Sequence, residues 1–299
     1  MKELVILSGK GGTGKTSITA AFAGLCSNMM LCDADVDAAD LHLVMSPDIR
    51  ESYDFVGGHE AVINPEKCTG CGRCMDVCRF DAILCDAGSG SFSVDGIGCE
   101  GCGVCVDLCP EQAVHFPRKT CGQWFVSQTR FGAMVHARLG IAEENSGRLV
   151  ALVREEARKR VVAERVDLLI TDGPPGIGCP VIASIGQANA VLIVTEPTVS
   201  GIHDMERVAD LAAHFKIPAM VCINKYDLNP EQATAIEAIA GRKQLEFVGR
   251  IPFDPAFTQA MVRGKSVVET HGDSAAGAAV KQIWNKVMES TAMKQDRLC

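Results

Sequence analysis

The chain has 299 residues, of which 47% are hydrophobic and 22% charged, with 37 acidic against 29 basic side chains and a formal net charge of −8. That balance argues against a nucleic-acid surface as the main activity, and 12 prolines with 29 glycines exclude a disordered or collagen-like chain. No apolar run approaches the ~18 residues that span a membrane, and the N-terminus enters a strand-like run at once, so a cytoplasmic protein with no membrane and no nucleic-acid partner is expected.

The first element is Leu4-Val5-Ile6-Leu7, a continuously apolar run of the kind that forms a strand covered on both faces. It leads into Gly9-Lys10-Gly11-Gly12-Thr13-Gly14-Lys15-Thr16, which fits G-x-x-x-x-G-K-S/T, followed by a helix predicted over 15–27. Such a loop closes its backbone N–H groups around phosphates; Lys15 reaches the β/γ oxygens and the Thr16 hydroxyl ligates Mg²⁺. Gly9 through Ser17 are therefore the predicted nucleotide-phosphate residues. A second apolar run, Met29-Met30-Leu31-Cys32, ends in Asp33-Ala34-Asp35.

Between 63 and 118 the α/β rhythm breaks. Ten of the 15 cysteines lie between Cys68 and Cys121, and eight repeat at a constant offset of 31: Cys68, Cys71, Cys74 and Cys78 against Cys99, Cys102, Cys105 and Cys109. C-x₂-C-x₂-C-x₃-C is the bacterial ferredoxin run, in which the fourth cysteine ligates the other cluster. Two 4Fe–4S clusters follow, one on Cys68, Cys71, Cys74 and Cys109, the other on Cys99, Cys102, Cys105 and Cys78. Zinc is the competing metal for C-x₂-C pairs, but a Cys₄ zinc site needs only four ligands. A segment of this size buries little core, so a metal must hold it together. The first run ends in Arg79 where the second has Pro110, and Cys85 and Cys121 are left as spare thiols.

After the cysteines, 124–134 reads as neither clear helix nor clear strand, with a hairpin as one candidate, and His136 as a structural histidine. A helix over 147–164 precedes the run 166–170, which ends in Thr171-Asp172-Gly173-Pro174-Pro175-Gly176. Cys179 follows, read as a buried structural cysteine. Runs at 191–194 and 220–223 alternate with helices over 203–215 and 230–241. The second run ends in Asn224-Lys225-Tyr226-Asp227, literally the guanine-reading N-K-x-D of many GTPases. The last helix, 278–289, puts Val280, Ile283, Trp284, Val287 and Met288 on one face and is expected to pack on its own domain. The whole predicts an α/β fold with a doubly wound, mostly parallel sheet: 1–62 with 119–299 as a discontinuous nucleotide domain, and 63–118 as the insert.

Lys-Gly-Gly-Thr-Gly-Lys-Thr, with Lys10 inside the loop, resembles the deviant phosphate loop of the MinD/ParA ATPases, relatives of the nitrogenase iron protein and the Mrp-type ATPases. The ferredoxin runs, 134–140 and Glu143-Glu144-Asn145-Ser146-Gly147 point to the branch with an inserted ferredoxin. That resemblance implies an ATPase acting as an ATP-dependent homodimer, with Lys10 reaching the partner chain's nucleotide and Asp35 positioning the attacking water. It also implies Asp172 acting on Mg²⁺ through water, and base contacts from Asn224, Lys225 and the loop bearing Pro252 and Asp254; ATP is favoured over GTP. The implied function is cluster assembly or delivery to an unidentified acceptor protein. Alternatives are an ATP-gated electron donor, and a positioning ATPase whose insert senses redox state.

Overall fold

Lys2-Glu3-Leu4-Val5-Ile6-Leu7-Ser8 forms β1, an interior strand whose side chains alternate between two cores. Leu4 and Ile6 face Phe22, Leu31, Val280 and Trp284; Val5 and Leu7 face Ile193, Val208, Val221 and Ile236. All four β1 side chains are fully buried, which explains the continuously apolar run, since each such side chain stabilises by about 1.5–3 kcal/mol on leaving water.

The computed structural model describes residues 1–140, 143 and 145–294. It divides into two units: Met1–Tyr53 with Trp124–Arg138 and Ser146–Cys299, and Asp54–Gln123 with Leu139–Asn145. The segment 63–118 falls within the second.

β1 is joined in one sheet by β2 (Met29–Asp33), β3 (Asp48–His59), β4 (Arg118–Gln128), β5 (Ala133–Leu139), β6 (Leu168–Pro175), β7 (Ala190–Thr195), β8 (Ala219–Asn224) and β9 (Glu246–Ile251), of which 54–59, 118–123 and Leu139 are counted in the second unit. Their order is β9-β8-β7-β1-β6-β2-β5-β4-β3, and every neighbouring pair from β9 to β5 is parallel. The sheet is thus α/β and mostly parallel. The stretch 124–134 resolves into strand: β4 and β5 are joined by the turn 129–132, where Thr129 N–H donates to the Gly132 carbonyl. Its alternating polar residues hid it, because these strands lie away from the doubly covered centre.

Helices cover the sheet: α1 (Lys15–Ala23), α2 (Leu41–Met45), α3 (Ser146–Ala163), α4 (Cys179–Ile185), α5 (Val199–His214), α6 (Pro230–Arg242), α7 (Ala256–Val262), α8 (Val267–Thr270) and α9 (Ala275–Glu289). Two starts differ from the sequence reading for a visible reason. Thr198 and Ser274 cap α5 and α9 by accepting from the N–H groups of Gly201 and Gly277, so both begin three or four residues early. α9 packs Trp284 on Phe22, ring centroids 5.0 Å apart. No described helix is long and apolar enough to cross a membrane.

The second unit has little regular structure. Its elements include a ribbon pairing Val62–Ile63 with Val114–His115, a hairpin pairing Ile83–Cys85 with Phe92–Val94, and two single helical turns, Arg73–Asp76 and Val104–Asp107. The sequence offset of 31 is also a backbone repeat. Gly72 and Gly103 precede the two turns at φ +72° and +78°, and Asp81 and Gln112 repeat a positive φ after them.

Candidate functional site

The loop after β1 opens at the carboxyl ends of the parallel strands, beside the ends of β6 and β2. Gly12 and Gly14 hold φ of +80° and +89°, and a Cβ on Gly14 would stand 2.4 Å from Asn224 Nδ2. Glycine is therefore required at position 14 by both backbone and neighbour. Lys15 begins α1 and is 5% exposed, with its Nζ 3.0 Å from Asp172 Oδ1 and 3.5 Å from Asp35 Oδ2. Burial opposes its charge, yet Asp172, Asp35 and Asp33 together hold its pKa above the ordinary lysine value. Thr16 and Thr19 each donate a hydroxyl hydrogen to Asp172 at 2.8 Å, one to each carboxylate oxygen.

Three aspartates thus meet one lysine. Asp33 accepts from the Asp35 N–H at 3.1 Å through Oδ1, while its buried Oδ2 has no hydrogen-bond partner among the described residues. Burial, reinforced by the charge of Asp172, pushes the Asp33 carboxyl well above its usual range; burial pushes Asp35 up to about 6, against the pull of Lys15. The buried Thr13 hydroxyl is likewise without a partner. A cluster of carboxylates with an orphan oxygen, next to a glycine loop ending in a lysine, suits a divalent cation bound together with phosphates.

The other predicted nucleotide residues divide. Asn224 spends its amide on the phosphate loop: Nδ2 donates to the Thr13 carbonyl at 2.8 Å and Oδ1 accepts from Lys225 N–H at 3.0 Å. Lys225 donates to the Gly12 carbonyl at 3.1 Å and pairs with Glu196 at 2.6 Å. Lys10 also reaches Glu196, at 3.4 Å. Ser17 points to Met261 Sδ at 3.2 Å. Asp227 accepts from Phe253 N–H at 2.7 Å, and Asp254 accepts from Ala256 N–H at 2.9 Å where α7 begins; Pro252 is half-buried on the same connection. Sequence reading missed Thr19 and Glu196. Thr19 stands one turn beyond Lys15, a legible helical spacing, whereas nothing in the sequence marks Glu196.

His136, in the middle of β5, stands in register with Asp33. It is buried, its Nε2 is 2.9 Å from Ser127 Oγ, and burial, with His42 nearby, lowers its pKa to about 4. Cys179 does not match its expected burial: as the first residue of α4 it is exposed.

In the second unit, Cys68, Cys71, Cys74 and Cys109 line one cavity, walled also by Ile63, Phe92 and Val114. Cys78, Cys99, Cys102 and Cys105 line another, with Phe80, Ile83 and Phe116. The loops curl through positive φ at Gly70, Gly72, Gly101 and Gly103; a Cβ on Gly101 would lie 2.4 Å from the His59 carbonyl oxygen. The Ala113 N–H donates to Cys109 Sγ at 3.3 Å. Cys85 is exposed and Cys121 buried.

Residues 4–267 match the CobQ/CobB/MinD/ParA nucleotide binding domain. An uncharacterized protein of Methanocaldococcus jannaschii is 29% identical over 96% of each chain. The iron-sulfur cluster carrier protein of Pyrococcus furiosus is 24% identical, over 96% of this chain and 85% of that protein. Among solved structures, the septum site-determining protein MinD of Pyrococcus horikoshii, complexed with Mg-ADP, matches with TM-score 0.58 at 18% identity, covering 96% of this chain and 95% of that one. A parallel sheet, a glycine loop closed on buried aspartates and a family match over most of the length agree: the chain belongs to the CobQ/CobB/MinD/ParA nucleotide binding domain family.

Proposed function

We propose that this protein is a MinD/ParA-type ATPase whose insert, 63–118, is ferredoxin-like and carries two 4Fe–4S clusters, and that ATP turnover drives delivery of iron–sulfur or another metal to a protein acceptor. The observation that carries the reading is the division of eight cysteines, four and four, between two cavities in a chain that also holds a nucleotide site. Cys68, Cys71, Cys74 and Cys109 hold one cluster; Cys99, Cys102, Cys105 and Cys78 hold the other. The donor set fits: soft thiolates, four to each, face apolar-walled cavities. When bound, the clusters supply one-electron chemistry and a store of iron and sulfide. The iron-sulfur cluster carrier relative supports the delivery role.

ATP hydrolysis is the reaction of the P-loop unit. The N–H groups of 11–15 and the Lys15 ammonium hold the phosphates; Thr16, Asp35 and Asp172 hold Mg²⁺ directly or through water. Lys15 and both threonines engage Asp172, and a bound nucleotide would exchange the lysine–aspartate pair for a lysine–phosphate pair. Asp35 orients the attacking water, and Lys10 reaches the nucleotide of a second copy, stabilising transferring charge as an arginine finger does. ATP rather than GTP is favoured by the Mg-ADP bound to the structurally similar MinD of Pyrococcus horikoshii.

The test is anaerobic. Protein loaded with labelled iron should carry about eight iron atoms per chain and pass them to an apo 4Fe–4S acceptor faster with ATP than without, a gain lost in Lys15→Ala. Retention of all the iron through many turnovers while a partner is reduced would make the protein an electron donor instead. ATP-dependent sedimentation with liposomes, without iron transfer, would favour the positioning role.

A further inference from the structure

Glu196 follows the last residue of β7, and its carboxylate is shared between two lysines of the nucleotide site. Oε1 lies 2.6 Å from Lys225 Nζ, and Oε2 lies 3.4 Å from Lys10 Nζ. The Lys10 ammonium also donates to Ser200 Oγ at 3.3 Å and to Thr198 Oγ1 at 3.5 Å. The cation that the proposed mechanism sends to another chain's phosphates is therefore held, in the single chain, by three acceptors of its own subunit.

The backbone carrying Glu196 is fixed. Thr198 N–H donates to the Glu196 carbonyl at 2.8 Å, Thr195 Oγ1 donates to the Gly201 carbonyl at 2.9 Å, and Gly201 N–H donates to Thr198 Oγ1 at 3.0 Å. A Cβ on Gly201 would stand 2.4 Å from the Glu196 carbonyl oxygen, and one on Gly9 would stand 2.1 Å from Asp204 Cβ of α5. Phosphate loop and turn are packed backbone against helix, so the carboxylate has few places to go. Its side chain is 14% exposed, against 34% for Lys10, so the pair is better shielded from water than a free surface pair. An anchor for Lys225 alone would leave Lys10 with neutral acceptors only; here one carboxylate oxygen goes to each lysine.

We propose that Glu196 is a cis latch on Lys10. It retains the lysine on its own subunit until two nucleotide-loaded chains meet, and pairing exchanges Lys10–Glu196 for Lys10–phosphate while Lys225 stays to neutralise Glu196. The latch rests on the trans role of Lys10 given above. Glu196 is a positioning residue: it acts on the equilibrium between held and extended lysine and touches no reacting atom. A competing cis contact lowers the apparent affinity of pairing by the fraction of chains that are unlatched. For a part-exposed ion pair that fraction corresponds to about 3–5-fold in the dimer dissociation constant.

The experiment compares the full chain with Glu196→Gln, which keeps the side chain's size and removes its charge. Sedimentation with Mg²⁺ and a non-hydrolysable ATP analogue reads the dimer dissociation constant. Trace acetylation of the nucleotide-free chain reads Lys10, with exposed Lys67 as internal reference. Glu196→Gln should pair about 3–5-fold more tightly, the advantage should shrink as salt rises, and Lys10 should acetylate several-fold faster. Ser200→Ala, which removes one acceptor and leaves both lysine–glutamate pairs, should shift both readouts the same way by less, and covers the case of a misfolded Gln variant. If the wild type pairs with nucleotide but Glu196→Gln and Ser200→Ala pair no more tightly, or Lys10 labels at the wild-type rate, the latch is wrong. If Lys10 labelling rises but no form pairs with nucleotide, the dimer reading itself fails, and the latch has nothing to release.

Discussion

The two units of this chain hold their chemical groups by different physics. Around Lys15, every element is placed by the sheet: β1 delivers the loop, β6 delivers Asp172, β2 delivers Asp33, and fully buried side chains on both faces fix all three. Around the eight cysteines the described elements are two-stranded ribbons and single helical turns, and those cysteines are half-buried or exposed. The first site exists before its ligand arrives. The second is a set of loops whose curvature is written in glycine φ values and whose remaining order, on the proposed cluster reading, comes from the metal. A nucleotide site must release its product and re-form, whereas a cluster site keeps its core and gains from folding around it.

The largest effect that would break this contrast is removal of iron. Apparent metal-binding energies of small metal-held folds are on the order of 10 kcal/mol, more than a segment of ribbons and turns can replace. Anaerobic chelation should abolish hydrogen-exchange protection across 63–118 and leave β1, β6 and β7 protected. Protection persisting in the ribbons of the iron-free chain would show the second unit to be self-supporting. Next in size is Lys15→Ala. Loss of one preorganised charge at a transferring phosphoryl group lowers turnover by about 100-fold or more, read as phosphate release, while the iron count stays unchanged. A fall in iron with that variant would mean the two regions are not independent.

Much of this was legible in the sequence because it depends on local spacing. The phosphate loop, the offset of 31 and the apolar runs of β1, β7 and β8 are short-range patterns. The edge strand β3 and its neighbour β4 escaped notice because only part of each is buried, so their residues carry no continuous apolar signal. Glu196 escaped because its partners, Lys10 and Lys225, lie 186 residues before and 29 after it in the chain and meet only once the sheet forms. Cys179 was misplaced for the same reason: exposure at a helix start depends on what packs there.

His136 sharpens the contrast from the other side, as a titratable group the first unit buries without a charge partner. Its pKa is lowered from 6.5 to about 4, so the folded chain binds its proton less readily than the unfolded chain does. Stability from this residue is fully present above pH 6.5 and is lost as pH falls toward 4, amounting to about 2 kcal/mol between pH 7.5 and 5. Trp124 and Trp284 both lie in the first unit, so denaturant unfolding followed by tryptophan fluorescence reads that unit directly. The wild type should lose this increment on acidification, and His136→Gln should be flatter across the same range. Equal slopes would place the proton elsewhere.

The smallest expected effects are at the cysteines outside the two runs, and they decide whether the second unit is held by its ligand or by thiols in general. Cys32 and Cys222 are core residues, and burial pushes the Cys222 thiol up to about 12, which leaves it inert toward metal and oxidant at neutral pH. Cys85 and Cys179 are exposed, so serine there changes sulfur for oxygen in water and should move unfolding by no more than about 0.5 kcal/mol. Cys121 differs in being 3% exposed, with Gly57 packed so closely that a Cβ there would lie 3.1 Å from its sulfur. Serine at 121 buries a more polar hydroxyl and should cost about 1 kcal/mol, with the iron count intact. Serine at Cys102, no more buried than Cys85, should instead cost a cluster. The discriminating measurement is iron per chain across the Cys85, Cys102, Cys121 and Cys179 variants. Burial alone ranks Cys121 as the most damaging of the four, whereas the proposed ligand assignment ranks Cys102 first. Iron loss following burial would return the cysteine unit to the physics of the sheet.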